Sequence, residues 1–243
     1  MILSKRVALI LSVVVCGLLL AGISSVMLKV YFFGGDKGPW WFVQLVNLVN
    51  LDRENNIPTW YSSTALFVNS VLMGLVGWVK RHDGGSYAKH WLALAGILLL
   101  LSIDEAASMH EKTSFIAEKL LDWAGLMSDY LYYGWVIFGI AAVTIVGSLY
   151  LKFLMDLPKE TMRWFLLAGF LYVGGAIGFE LLEAKVFVVE NKETMTFMLL
   201  AVVEEGMEMF GVVASIYATL SYMNREDMRR SLLQFHQNAL GIS

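Results

Sequence analysis

Cysteine is nearly absent: this chain of 243 residues holds one, Cys16, inside an apolar run. That excludes a disulfide framework and a cysteine-based zinc site. Cys16 reads as a small apolar packing residue. Charge is scarce as well. Charged residues make up 16% of the chain, against roughly 25% in a soluble domain. The net charge of −3 offers no basic surface, so no nucleic-acid role is expected. Histidine occurs at four positions: His82 and His90 in a basic loop, His110, and His236 in the tail. Internal repeats and low-complexity segments are missing.

What the chain has in abundance is apolar surface. Hydrophobic residues make up 58%, and the mean hydropathy is +0.63. A bilayer core about 30 Å thick takes about 20 mostly apolar residues per helix. Six stretches qualify: 7–33, 60–79, 90–111, 131–154, 163–188 and 195–222. Trp60, Tyr130, Tyr132, Tyr133, Trp164 and Tyr222 fall near their ends, where interfacial aromatics belong. Lys5 and Arg6 precede an apolar run to Phe33. That run is longer than the roughly 7–15 residues of a signal-peptide core, so it is read as an uncleaved first membrane helix. The fold class is therefore all-α: one bundle of about six transmembrane helices over 1–223, with a tail over 224–243.

Lysine and arginine orient the bundle. With the N-terminus inside, the inner side holds Lys5, Arg6, Lys80, Arg81, Lys89, Lys152, Lys159, Arg163, Arg225, Arg229 and Arg230. The outer side holds Lys29, Lys37, Arg53, Lys112, Lys119, Lys185 and Lys192. The excess inside places both termini in the cytoplasm of a bacterial inner membrane. The outer segment from Gly38 to Leu51 spaces Gln44, Asn47 and Asn50 three residues apart among aromatics and aliphatics. It is expected as an amphipathic helix on the outer surface; a re-entrant or packed loop is the alternative. Pro58 opens the second span. The tail, NREDMRRSLLQFHQNALGIS, is mildly amphipathic and basic, and is expected as a short helix on the inner leaflet.

Against this apolar background the acids stand out. Ionisable groups at the centre of a membrane helix cost about 2.5–3.5 kcal/mol each on insertion scales. The third span ends with Asp104, Glu105, His110 and Glu111. The fifth carries Glu180 and Glu183 near Lys185, and the sixth Glu204, Glu205 and Glu208. Depth and facing both favour a meeting. At about 1.5 Å rise per residue, Asp104 lies some 20 Å from the inner end of its span and Glu204 roughly 13 Å below the outer end of its own. On continuous helices Asp104, Ser108 and Glu111 share one stripe, Glu180 and Glu183 another, Glu204 and Glu208 a third. Glu205 flanks Glu208, Glu105 points away from Asp104, and His110 lies off the Asp104 stripe. Gly174, Gly175, Ala176, Gly178, Gly206 and Gly211 would let the helices approach closely.

So many carboxylates cannot all be ionised in a low dielectric. One reading ties the bundle with protonated acids, partnered by Lys112 and Lys185. A second neutralises them with a bound metal, and a third makes them a proton or cation pathway. The metal reading leads. Oxygen ligands with one histidine suit hard or borderline cations (Ca²⁺, Mg²⁺, Mn²⁺ or iron), and zinc is less suited. The expected ligands are Asp104, His110, Glu111, Glu180, Glu183, Glu204 and Glu208, with Glu105, Ser108 and Glu205 as additional candidates. Copper through Met195, Met198, Met207 and Met209 is weighed against ordinary packing, which is the commoner use of methionine.

The strings NLDRENNIPTWYSS, LLLLSIDEAASMHEK, GGAIGFELLEA and VVEEGMEMFGV, in this order, resemble a family of uncharacterised bacterial six-helix integral membrane proteins. The resemblance covers about residues 48–222. It implies the helical membrane fold and carries no assigned activity. EEGME is also faintly similar to the RExxE motif of high-affinity iron permeases, with Glu204 where that motif has Arg and with a different helix count.

Three functional classes follow. The first is cation or proton handling, which needs a polar route inward; the inner halves of the spans look dry. The second is a metal-dependent enzyme on a lipid or other apolar substrate. Ceramidase-type zinc chemistry lacks its histidines here, and Ser108 and His110 diverge on a helix, against a Ser–His nucleophile. The third is an accessory subunit, in a homo-oligomer or larger membrane complex, with a structural acidic cluster.

Overall fold

A computed structural model describes residues 2–33, 38–190 and 194–240. Lys37 and Lys192, both counted on the outer side above, lie outside the described residues. Among those residues the fold is all-helical, with no strand. The helices are α1 (Ile2–Phe33), α2 (Trp40–Asn47), α3 (Ile57–His82), α4 (Ala88–Ala107), α5 (Met109–Ala124), α6 (Val136–Met155), α7 (Lys159–Val173), α8 (Glu180–Glu190), α9 (Met195–Met223) and α10 (Glu226–Leu240). A π-helical turn, Gly174–Phe179, joins α7 to α8 into one continuous rod.

Five of these rods are long and apolar enough to cross a membrane: α1, α3, α4, α6 and the joined α7–α8. Helix α9 has the length but carries Glu204, Glu205 and Glu208. It is also the centre of the molecule, with α1, α3 and α7 packed around it. From Gly211 to Thr219 every residue of α9 is buried. By contrast Leu9, Ile10, Val13 and Leu20 of α1 stay open, as side chains facing acyl chains would.

Local chemistry explains the ends. Asn56 caps α3 by accepting from the Thr59 amide at 3.1 Å, and Pro58 occupies the first turn, where a missing N–H costs nothing. Thr194 caps α9 through the Phe197 amide at 3.3 Å. Close approaches rest on glycine. A Cβ on Gly211 would stand 2.8 Å from the Tyr172 nitrogen of α7. At the end of the bundle that holds His82 and Arg225, Trp91, Phe153, Tyr222 and Met228 form a buried cluster. Met228 belongs to α10, so the tail docks onto the bundle instead of only lying on a surface.

Other expectations are corrected. The stretch 90–111 is not one helix. Ser108 sits at φ 48°, in the left-handed region, so α4 stops at Ala107 and α5 sets off in a new direction. The fourth span starts at Val136, after a 3₁₀ turn at Asp129–Leu131. The surface segment is helical only over Trp40–Asn47, where Trp40 and Trp41 are exposed. Cys16 is exposed on α1, not packed. The interior beyond the acids is not uniformly dry. Asn69 of α3 is fully buried, donates to Ser215 Oγ at 2.8 Å and accepts from Thr219 Oγ1 at 3.4 Å.

Candidate metal centre

The break at Ser108 builds the first part of the site. Turning the chain there brings His110 back onto Asp104, off whose stripe a continuous helix would have kept it. Asp104 accepts from the His110 backbone amide at 2.8 Å and meets His110 Nδ1 at 2.9 Å. The same turn takes Glu111 out of helical register with Asp104. Glu111 is then aimed at a residue that the sequence reading passed over. Glu54, in the turn before α3, offers a carboxylate oxygen within 4.8 Å of ligand atoms on His110 and Glu111. Its turn is cross-braced: Asn55 adopts φ 59°, and the Asn56 side-chain Nδ2 donates to the carbonyls of Asn50 and Arg53. Ser108 lies beside the Glu54 side chain. Burial raises the Glu54 pKa above its ordinary value; His110 opposes that and Glu111 adds to it.

The second part lies between the α7–α8 rod and α9. The Glu180 carboxylate accepts from Trp135 Nε1 at 3.0 Å, and the Trp135 ring lies 4.9 Å from the His110 ring. Glu180 therefore joins the two parts, and it is within electrostatic reach of His110. Glu183 and Glu204 are 5% and 9% exposed and are electrostatic neighbours. Glu105, Glu205 and Glu208 close the cluster. Glu205 feels Glu208, Glu105 and Glu54, while Glu208 feels Glu105, Glu180 and Glu54. Packing holds this geometry. A Cβ on Gly175, inside the π turn, would come 2.8 Å from the Glu204 carbonyl and 2.9 Å from Glu208 Cγ. π turns of this kind are frequent at functional sites.

The charge balance is uneven. Lys112 donates to the Ala107 carbonyl, capping α4, and Lys185 donates to the Tyr130 hydroxyl at 2.8 Å. Among the described residues neither forms an ion pair with an acid of the cluster. Glu54 Oε2, Glu183 Oε1 and Glu204 Oε2 are buried with no hydrogen-bond partner. The ligand atoms of Glu54, His110 and Glu111, within 4.8 Å of one another, are of the oxygen and nitrogen types that hard or borderline divalent cations accept.

A family model described as a domain of unknown function (DUF8692) matches residues 7–223. The chain belongs to this family. The match runs from α1 to the end of α9 and takes in every acid of the cluster. No curated protein matches the chain, and no solved structure does. DUF8692 membership thus fits the resemblance to an uncharacterised family, and the chemistry must be argued from the side chains. Glu54 itself sits inside NLDRENNIPTWYSS, one of the strings that carry that resemblance.

Proposed function

We propose that this DUF8692 protein is a six-helix inner-membrane protein that binds one or two divalent cations through the acidic cluster. In this reading α9 is the sixth crossing, both termini are cytoplasmic, the bundle over 1–223 is one domain, and the site lies in the outer half of the membrane. The observation that carries the proposal is the Glu54–His110–Glu111 group, with ligand atoms within 4.8 Å of one another and with Glu54 Oε2 buried without a hydrogen-bond partner. Asp104 holds His110 Nδ1, which leaves Nε2 to face the cation. This is the carboxylate–histidine arrangement that fixes a ligand's tautomer and orientation. Glu180, Glu183, Glu204, Glu205, Glu208 and Glu105 supply the oxygens of the inner part. A nitrogen among so many oxygens favours Mn²⁺ or Fe²⁺ over Ca²⁺ and Mg²⁺.

The test is thermal unfolding of the protein purified in mild detergent, with and without chelator. Chelation is expected to lower the midpoint, and Mn²⁺ to restore it. Equal midpoints with chelator and with Mn²⁺ would remove the proposal.

Proton handling is the second reading. It is favoured by the buried acids Glu183 and Glu204 and by the polar groups Asn69, Ser215 and Thr219 farther along α3 and α9. Proton flux in proteoliposomes that ran without metal, and stopped in Glu204→Gln, would favour it over the cation site.

A further inference from the structure

A trench of about 530 Å³ runs along the side of the bundle, away from the acids. Helix α9 forms its floor with Phe210, Val213, Ala214 and Tyr217; α1 and α7 form its walls. Such a volume is within the range of about 300–1,000 Å³ common for small-molecule sites. On α1 the lining steps through Lys5, Ala8 and Ser12, so the trench is about 10 Å long at 1.5 Å per residue. Chemistry differs between its ends. Lys5 and the Trp164–Tyr217 pair, with ring centroids 4.6 Å apart, mark the end near the start of α1. Leu171 and Phe210 mark the end near the membrane interior.

Lys5 stands in the first turn of α1, beside Ser4 and Arg6 and just before the long apolar run of that helix. Among the described residues no carboxylate pairs with it. Tryptophan and tyrosine at this level are the side chains that tolerate an apolar body and a wet edge. Apart from Lys5 and Ser12 the lining is apolar or aromatic, with few groups to satisfy the backbone of a bound peptide. An acyl chain makes no such demand.

We infer that the trench is a binding site for an anionic phospholipid of the leaflet at the N-terminal end of α1. One acyl chain lies between α1 and α7, and the phosphate sits at the Lys5 ammonium. The inference does not depend on the metal site. Its test is native mass spectrometry of the full chain, delipidated in detergent and titrated with phosphatidylglycerol or with phosphatidylcholine of the same chains. Wild type is expected to retain phosphatidylglycerol about fivefold better, the ratio one basic side chain near an anionic surface supplies. Lys5→Gln should bring the two lipids level while still binding both. Ala8→Trp, which fills the trench, should weaken both in parallel. Equal retention of the two lipids by wild type, an unchanged preference in Lys5→Gln, or full binding in Ala8→Trp would each overturn it. Lys5→Gln removes a charge without removing helix propensity, so it keeps the test open if Ala8→Trp fails to fold.

Discussion

At the residue scale the account turns on how few groups can answer the cluster's negative charge. His110 is the basic side chain seen against it, and it is held by Asp104. Replacing Glu54 with Gln removes an anionic ligand while keeping its shape. Glu54→Gln is expected to lower cation affinity at least tenfold, measured by isothermal titration of the chelated protein with Mn²⁺. Asp104→Asn acts indirectly, by loosening the His110 ring. Outer-shell partners of this kind typically change affinity about 10–100-fold. The Asp104→Asn loss should therefore be partial, while His110→Ala should abolish the preference for Mn²⁺ over Mg²⁺. Affinity that is indifferent to Glu54 would separate the turn before α3 from the site.

The elements show what could and could not be read from the sequence. The long apolar runs were legible, because a membrane helix must satisfy its own backbone over a fixed length and only apolar residues pass. Helix α9 was legible as well, despite its glutamates. The break at Ser108 was not. Serine carries no signal for a left-handed φ, and SMHEK continues a helical pattern without Gly or Pro. The consequence was specific: a stripe drawn through Asp104, Ser108 and Glu111 joined groups that the chain separates, and Asp104–His110 went unseen. Glu54 was missed for another reason. It lies in a polar turn, where an acid is usually solvated, and only the approach of His110 and Glu111 of α5 makes it a candidate ligand. The glycines before Glu180 were read as permitting close approach, and Gly175 does touch α9. Gly175→Val is thus expected to destabilise the protein by about 1–3 kcal/mol, as overpacking of a tight contact does. Asn69→Ala should cost about 1 kcal/mol, since interhelical hydrogen bonds in membranes average somewhat below that and the partners are left unpaired. Both are read by thermal or denaturant unfolding in one detergent.

For the whole molecule, protonation and cation binding must oppose each other. Glu54 lies outside the spans, and burial raises its folded pKa above the unfolded value. Such an acid contributes stability that is fully present below the unfolded pKa and is lost as pH rises through the folded one. The chelated protein should lose thermal stability as pH rises from the ordinary carboxylate range toward neutral. Ligands bind metal only when deprotonated, so cation affinity should rise over the same interval. Unfolding midpoints across pH, with chelator and with Mn²⁺, should therefore diverge. Parallel curves would mean that the cluster titrates without binding. The measurement that bears most directly on the central claim is the metal content of the protein purified from cells in mild detergent without added metal, set beside a Glu54→Gln, His110→Ala double variant prepared identically. One or two equivalents of manganese or iron per chain, lost in the variant, is the result predicted. A metal-free wild type that folds as stably with chelator as without, or equal metal in the variant, would contradict it.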